Sequence, residues 1–130
     1  MKTFEAQKGG WIYLFRIEAT WYEQVGVHYV KIGMMADDNP KKRLAYIGRF
    51  LPFETKLVGL LRTDSPKQIE SDIHSSVRDQ RIRGEWYLMK DADMPRFFRQ
   101  WGFQEPDIAI REFEKRIVHE WSAARRRAST

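Results

Sequence analysis

Apolar residues run along the chain in short blocks of two different periods. The run Trp11-Ile12-Tyr13-Leu14-Phe15-Arg16-Ile17 follows the Gly9-Gly10 pair and is rich in β-branched and aromatic residues. It is short for a helix and predicts a strand, with the odd positions on one face and Ile12 and Leu14 on the other. A polar stretch around residues 18–26 predicts a turn, and Val27 to Gly33 a second strand, which together make a hairpin with a long loop. Asp37-Asp38-Asn39-Pro40 is a helix-start signal. A side-chain oxygen of Asp38 or Asn39 accepts from the first free amides, and Pro40 suits the first helical position. That helix is expected from Lys41 to about Phe50, ending near Leu51-Pro52. Thr55 to Arg62 predicts a third, buried strand.

Asp64-Ser65-Pro66 repeats the start signal for a second helix through about Gln80. Ile69, Ile73 and Val77 recur four apart and form its core stripe, while Glu70 and His74 share a neighbouring face. Gly84 breaks the pattern before a last short strand, Glu85 to Met89. Met94, Phe97, Phe98 and Trp101 predict a third helix ended by Gly102. Ile110, Phe113, Ile117 and Trp121 keep the helical period through a fourth, whose apolar residues are expected to pack on the sheet or across a dimer interface. The order ββαβαβ followed by helices predicts an α+β domain: a small antiparallel or mixed sheet flanked by helices, with additional C-terminal helices. The expected divisions are an N-terminal segment (1–9), the main domain (10–90), a helical extension (91–124) and a fraying basic tail (125–130).

Composition narrows the function classes. With 130 residues the chain is one domain, or one domain with an extension. The 23 Lys and Arg against 18 Asp and Glu give a net charge of +5, which favours a polyanionic partner without selecting one. The absence of cysteine excludes disulfides, Cys-ligated zinc and thiol catalysis. Apolar runs of only a few residues exclude a membrane span, and residues 1–10 carry no apolar signal region. The expectation is a cytoplasmic or nucleoid-associated protein that is not secreted.

Four polar residues stand out on this scaffold: Tyr13 and Lys31 on the two hairpin strands, Arg43 on the first helix and Glu70 on the second. Taken singly, each has a plain structural reading as a core-rim tyrosine, an edge lysine, a solvated helix cation and a surface carboxylate. Their order changes that. Trp11-Ile12-Tyr13, Lys31-Ile32-Gly33, Asn39-Pro40-Lys41-Lys42-Arg43-Leu44, Glu70-Ser71-Asp72-Ile73-His74 and Gly84-Glu85-Trp86-Tyr87 together resemble the GIY-YIG nuclease superfamily. More narrowly they resemble a phage-associated branch with KIG in the second signature, over about residues 10–90. Trp11 and Lys31 depart from the superfamily's usual glycine and tyrosine. Tyr46-Ile47-Gly48 spells the second signature literally, but it falls on the first helix, so Tyr46 is read as a helix-surface or core-edge residue.

The resemblance implies metal-dependent hydrolysis of DNA phosphodiesters at a single site. Tyr13 would activate water, with Lys31 or Arg43 favouring its phenolate. Arg43 would hold a phosphoryl oxygen through paired hydrogen bonds. Glu70 would be the sole acidic metal ligand, for Mg2+ or Mn2+ bound chiefly when substrate supplies further oxygens. His74 would shuttle a proton or donate to phosphate, unless it is simply bonded to backbone. Glu85 would either shape the site or stand as a strand-edge carboxylate. Lys41, Lys42, Arg49, Arg78, Arg81 and Arg83 supply a DNA footprint. A homodimer, a non-catalytic nucleic-acid-binding module, a nuclease acting on RNA or branched DNA, and an unrelated interaction domain remain open from the sequence.

Overall fold

The computed structural model describes residues 9–18, 26–36, 40–51 and 53–129. Five strands form one antiparallel sheet: β1 (Gly10–Ile17), β2 (Val27–Met35), β3 (Thr55–Thr63), β4 (Arg81–Arg83) and β5 (Trp86–Lys90), in the order β3-β1-β2-β5-β4. Four helices accompany them: α1 (Pro40–Arg49), α2 (Pro66–Ser76), α3 (Met94–Trp101) and α4 (Pro106–Ser129). The α+β class and the helical flanks match expectation. Both faces of the sheet are covered, so β1 is buried on both sides. Ile12 and Leu14 join Val30, Ile32, Ile73, Tyr87, Phe97 and Phe103 beneath α2 and α3. Trp11, Tyr13 and Phe15 join Leu44, Leu60, Ile110 and Phe113 beneath α1 and α4.

Several boundaries differ from the sequence reading. The α2 helix stops at Ser76, and a separate 3-10 turn covers Arg78–Gln80. Pro66 opens α2 as anticipated, but the Ser65 side chain makes no capping bond. The cap residues Asp38 and Asn39 and the hairpin turn at 19–25 lie outside the described residues. Strand β4 was not foreseen, since its three residues are exposed and carry no apolar alternation. Residues 125–129 continue α4 as helix instead of fraying. The packing of α4 is divided: Ala109, Ile110 and Phe113 are buried, whereas Val118 and Trp121 are 64% and 71% exposed. Only the first half of that helix therefore serves the core.

Candidate active site

Strand β5 pairs with β2 from Val27 to Lys31, the Ile32 amide donates to the Glu85 carbonyl at 3.0 Å, and beyond it no strand among the described residues pairs with β2 on that side. Groups from both faces of the sheet converge there. From the α1 face come Tyr13, Lys31 and Arg43. Tyr13 stands opposite Gly33 on the neighbouring strand. A Cβ at Gly33 would collide with the Tyr13 hydroxyl and ring, so glycine is what allows the tyrosine to lie across β2. Arg43 joins Tyr13, Met34, Met35, Ala36 and Ile47 around a pocket of about 550 Å³. From the α2 face come Glu70 and His74, because Ile69 and Ile73 turn the other side of that helix into the core. Glu85 arrives from the β4–β5 turn, where Gly84 takes a left-handed φ of 57°.

The polar contacts are specific. Lys31 Nζ donates to Glu85 Oε1 at 2.5 Å. His74 Nε2 faces the Ile32 carbonyl at 3.1 Å, and a carbonyl only accepts, so Nε2 carries the hydrogen. His74 Nδ1 then accepts from the Tyr87 hydroxyl at 2.7 Å. Burial first, and the charges of Glu85 and Glu70 beyond it, raise the Tyr87 phenol against the opposing pull of Arg81, which keeps it a donor. The imidazole thus ties α2 to β2 and β5. Of the two roles anticipated for His74, the backbone-bonded one describes its contacts.

Glu70 Oε2 is buried with no hydrogen-bond partner, 3.8 Å from His74 Nε2. The Glu70 carboxyl is raised to about 7, mainly by burial, then by the charge of Glu85 and a hydrogen bond with it, and Lys31 offsets part of this. One ligand atom each from Glu70, His74 and Glu85 lies within 4.8 Å of the others. Tyr13 is pushed up to about 12, by burial first and then by Glu85 and Glu70, with Arg43 opposing. The expected phenolate is therefore corrected: two carboxylates and desolvation outweigh Arg43, and Lys31 is committed to Glu85.

The basic residues divide. Arg43 borders the Tyr13 pocket, but Lys41 and Arg49 line a separate groove of about 570 Å³ with Phe15, Leu44, Phe53 and Ile110. Lys42 is exposed on α1. Arg78, Arg81 and Arg83 are exposed around β4, and Arg81 Nε donates to the Gly84 carbonyl at 2.9 Å. Tyr87 was missed as a site residue and Glu85 left undecided. Tyr87 and Met89 are buried while Leu88 and Lys90 are exposed, but Trp86 to Met89 is one continuous apolar run, so no alternation in the sequence marked Tyr87 as inward-facing.

Against known protein families, residues 10–102 match the T5orf172 domain. The chain belongs to the T5orf172 domain family. This is a phage-associated domain. No curated protein matches the chain, and no solved structure does. The finding overturns the resemblance to the GIY-YIG superfamily, because the T5orf172 domain is a different family and no GIY-YIG match arises. The short strings behind that resemblance have local causes here. Trp11 is a fully buried core residue stacked edge-on against Phe113, Ile32 is core, and Gly33 answers to the Tyr13 ring. The phage association stands. The T5orf172 match also reaches past residue 90 to take in α3, whose Phe97 belongs to the same core cluster as Ile12. Among the described residues no helix is long and apolar enough to cross a membrane.

Proposed function

We propose that this T5orf172 domain is a metal-dependent phosphodiester hydrolase acting on DNA, with Glu70 as its principal metal-holding carboxylate. The observation that carries the reading is the close Glu70–Glu85 pair with one buried, unpartnered oxygen. Two carboxylates brought together away from water repel, and a divalent cation relieves that repulsion. The donor set suits a hard ion such as Mg2+ or Mn2+, since both His74 nitrogens are engaged and the free donors are oxygens. When bound, such an ion supplies neutralisation of phosphoryl oxygens and a more acidic water.

The chain's own groups have distinct tasks in this reading. Arg43, exposed at the pocket mouth, holds phosphoryl oxygens through paired donors. Tyr13 acts as a neutral hydroxyl that orients water, because its proton is held too tightly for it to serve as a base near neutral pH. Lys31 fixes Glu85, and His74 is a positioning residue that sets α2, and hence Glu70, against β2.

The test is incubation of the purified chain with supercoiled plasmid in Mg2+ or EDTA. Cleavage is expected only with the metal. Glu70→Gln is expected to reduce it at least about a hundredfold while leaving DNA affinity equal or higher, since a negative charge beside the phosphate is lost. Arg43→Ala is expected to weaken both cleavage and binding. If Glu70→Gln cuts like wild type, Glu70 does not hold the metal. Tight DNA binding by wild type without any cleavage would favour a non-catalytic binding module.

A further inference from the structure

Helix α1 carries an unusual outward face. Tyr46 and Phe50 are 55% and 71% exposed, with ring centroids 4.9 Å apart, and neither belongs to the two core clusters. Positions 43, 46, 47 and 50 share one helical face, so this aromatic pair continues directly from Arg43. The helix contains four basic residues, Lys41, Lys42, Arg43 and Arg49, and no acidic one.

We propose that this face is a stacking platform for the unpaired bases of single-stranded DNA, whose backbone is held at Arg43. The proposal rests on the nucleic-acid reading above and specifies its substrate as DNA with unpaired bases. Three arguments support it. Rings more than half exposed offer π-faces, which every base can stack on. A helix with four cations and no acid of its own complements a phosphate backbone and is unlike the charge-depleted centre of an ordinary protein interface, although Glu54 and Asp107 line the adjoining groove. Phe50 directly follows the last residue of α1, and the seven steps from Arg43 to it amount at the helical rise to about 10 Å, roughly the rise of three stacked nucleotides. Duplex bases are already stacked on one another and cannot present their faces to the rings. The platform therefore selects unpaired strands, and its distance from Arg43 fits bases immediately beside the phosphate held there.

The experiment measures fluorescence anisotropy of the full chain in EDTA with a labelled single strand of about 15 nucleotides and with its blunt duplex. A second strand carries 2-aminopurine, whose emission drops on stacking. Wild type is expected to bind the single strand more tightly and quench the 2-aminopurine. Tyr46→Ala and Phe50→Ala are each expected to lose roughly tenfold in single-strand affinity, lose the quenching, and keep duplex affinity within about twofold. Tyr46→Phe, which keeps the π-face, should restore both signals. Both rings are solvent-exposed, and unchanged thermal melting of the variants checks their folding. The inference falls if the double alanine variant binds single strands like wild type, or if single-strand and duplex affinity drop in equal proportion. Ring-neutral binding beside Glu70-dependent plasmid cleavage would sink this inference alone. Ring-dependent single-strand binding with no cleavage would uphold it while removing the hydrolase reading.

Discussion

Glu70 connects the chemistry of single groups to a measurable property of the fold. An unfolded chain ionises it at the ordinary carboxylate pKa of 4.5, whereas the folded site holds its proton to about 7. The folded state therefore binds the proton more tightly, and ionised Glu70 opposes folding. This penalty is absent below pH 4.5, grows between 4.5 and 7, and is complete above 7. Glu70→Gln is expected to stabilise the metal-free domain by about 1 kcal/mol at pH 8, allowing for solvent screening, and by almost nothing at pH 4. Urea denaturation in EDTA at the two pH values measures this; a pH-independent difference would contradict the assignment. The order of short motifs along the chain pointed to Tyr13, Lys31, Arg43 and Glu70, since each taken singly has a plain structural reading. Their protonation was not readable in the same way. The Lys31–Glu85 ion pair spans 54 sequence positions, and only the folded strands reveal that the lysine is spent there and not on Tyr13.

Among the elements, α4 separates structural need from mere helical propensity. Its first turns bury Ala109, Ile110 and Phe113 against the sheet, while Val118 and Trp121 stay in solvent. Removing everything after Lys90 would delete Phe97, Phe103, Ile110 and Phe113 and uncover Trp11, Ile12, Leu14 and Leu60, with each buried side chain contributing on the order of 1.5–3 kcal/mol. That truncation is expected to abolish cooperative unfolding, whereas a chain ending at Arg116 should melt within a few degrees of the intact protein. Calorimetry of both truncations decides it. Hydrophobic pattern was enough to find β1, β2, β3 and α3 to within a residue or two, and the start signal around Pro40 did the same for α1. It failed for β4, whose Arg-Ile-Arg is held by backbone pairing with β5 and buries nothing. It also could not divide α4, since the same period continues through residues that find no partner in this fold.

At the level of the whole molecule, the candidate phosphate contacts are spread over separate surfaces instead of forming one stripe. Arg81 and Arg83 adjoin the Glu85 turn, while Lys41 and Arg49 open onto another groove. Each true phosphate contact steepens the salt dependence of DNA affinity by about one in the log–log slope. Arg83→Ala is expected to flatten that slope by about one, as read from binding isotherms between low and moderate salt. The open edge of β2 has a different kind of consequence. Its site is assembled from β1, β2, α1, α2 and the turn before β5, so Tyr13 waits for Glu85 and for the Tyr87 that anchors His74. A chain emerging from the ribosome has none of this machinery until Glu85 and Tyr87 have been synthesised and β5 has paired with β2. Any activity of this site is thus withheld from chains that have not yet folded past Glu85, with no inhibitor needed to silence them.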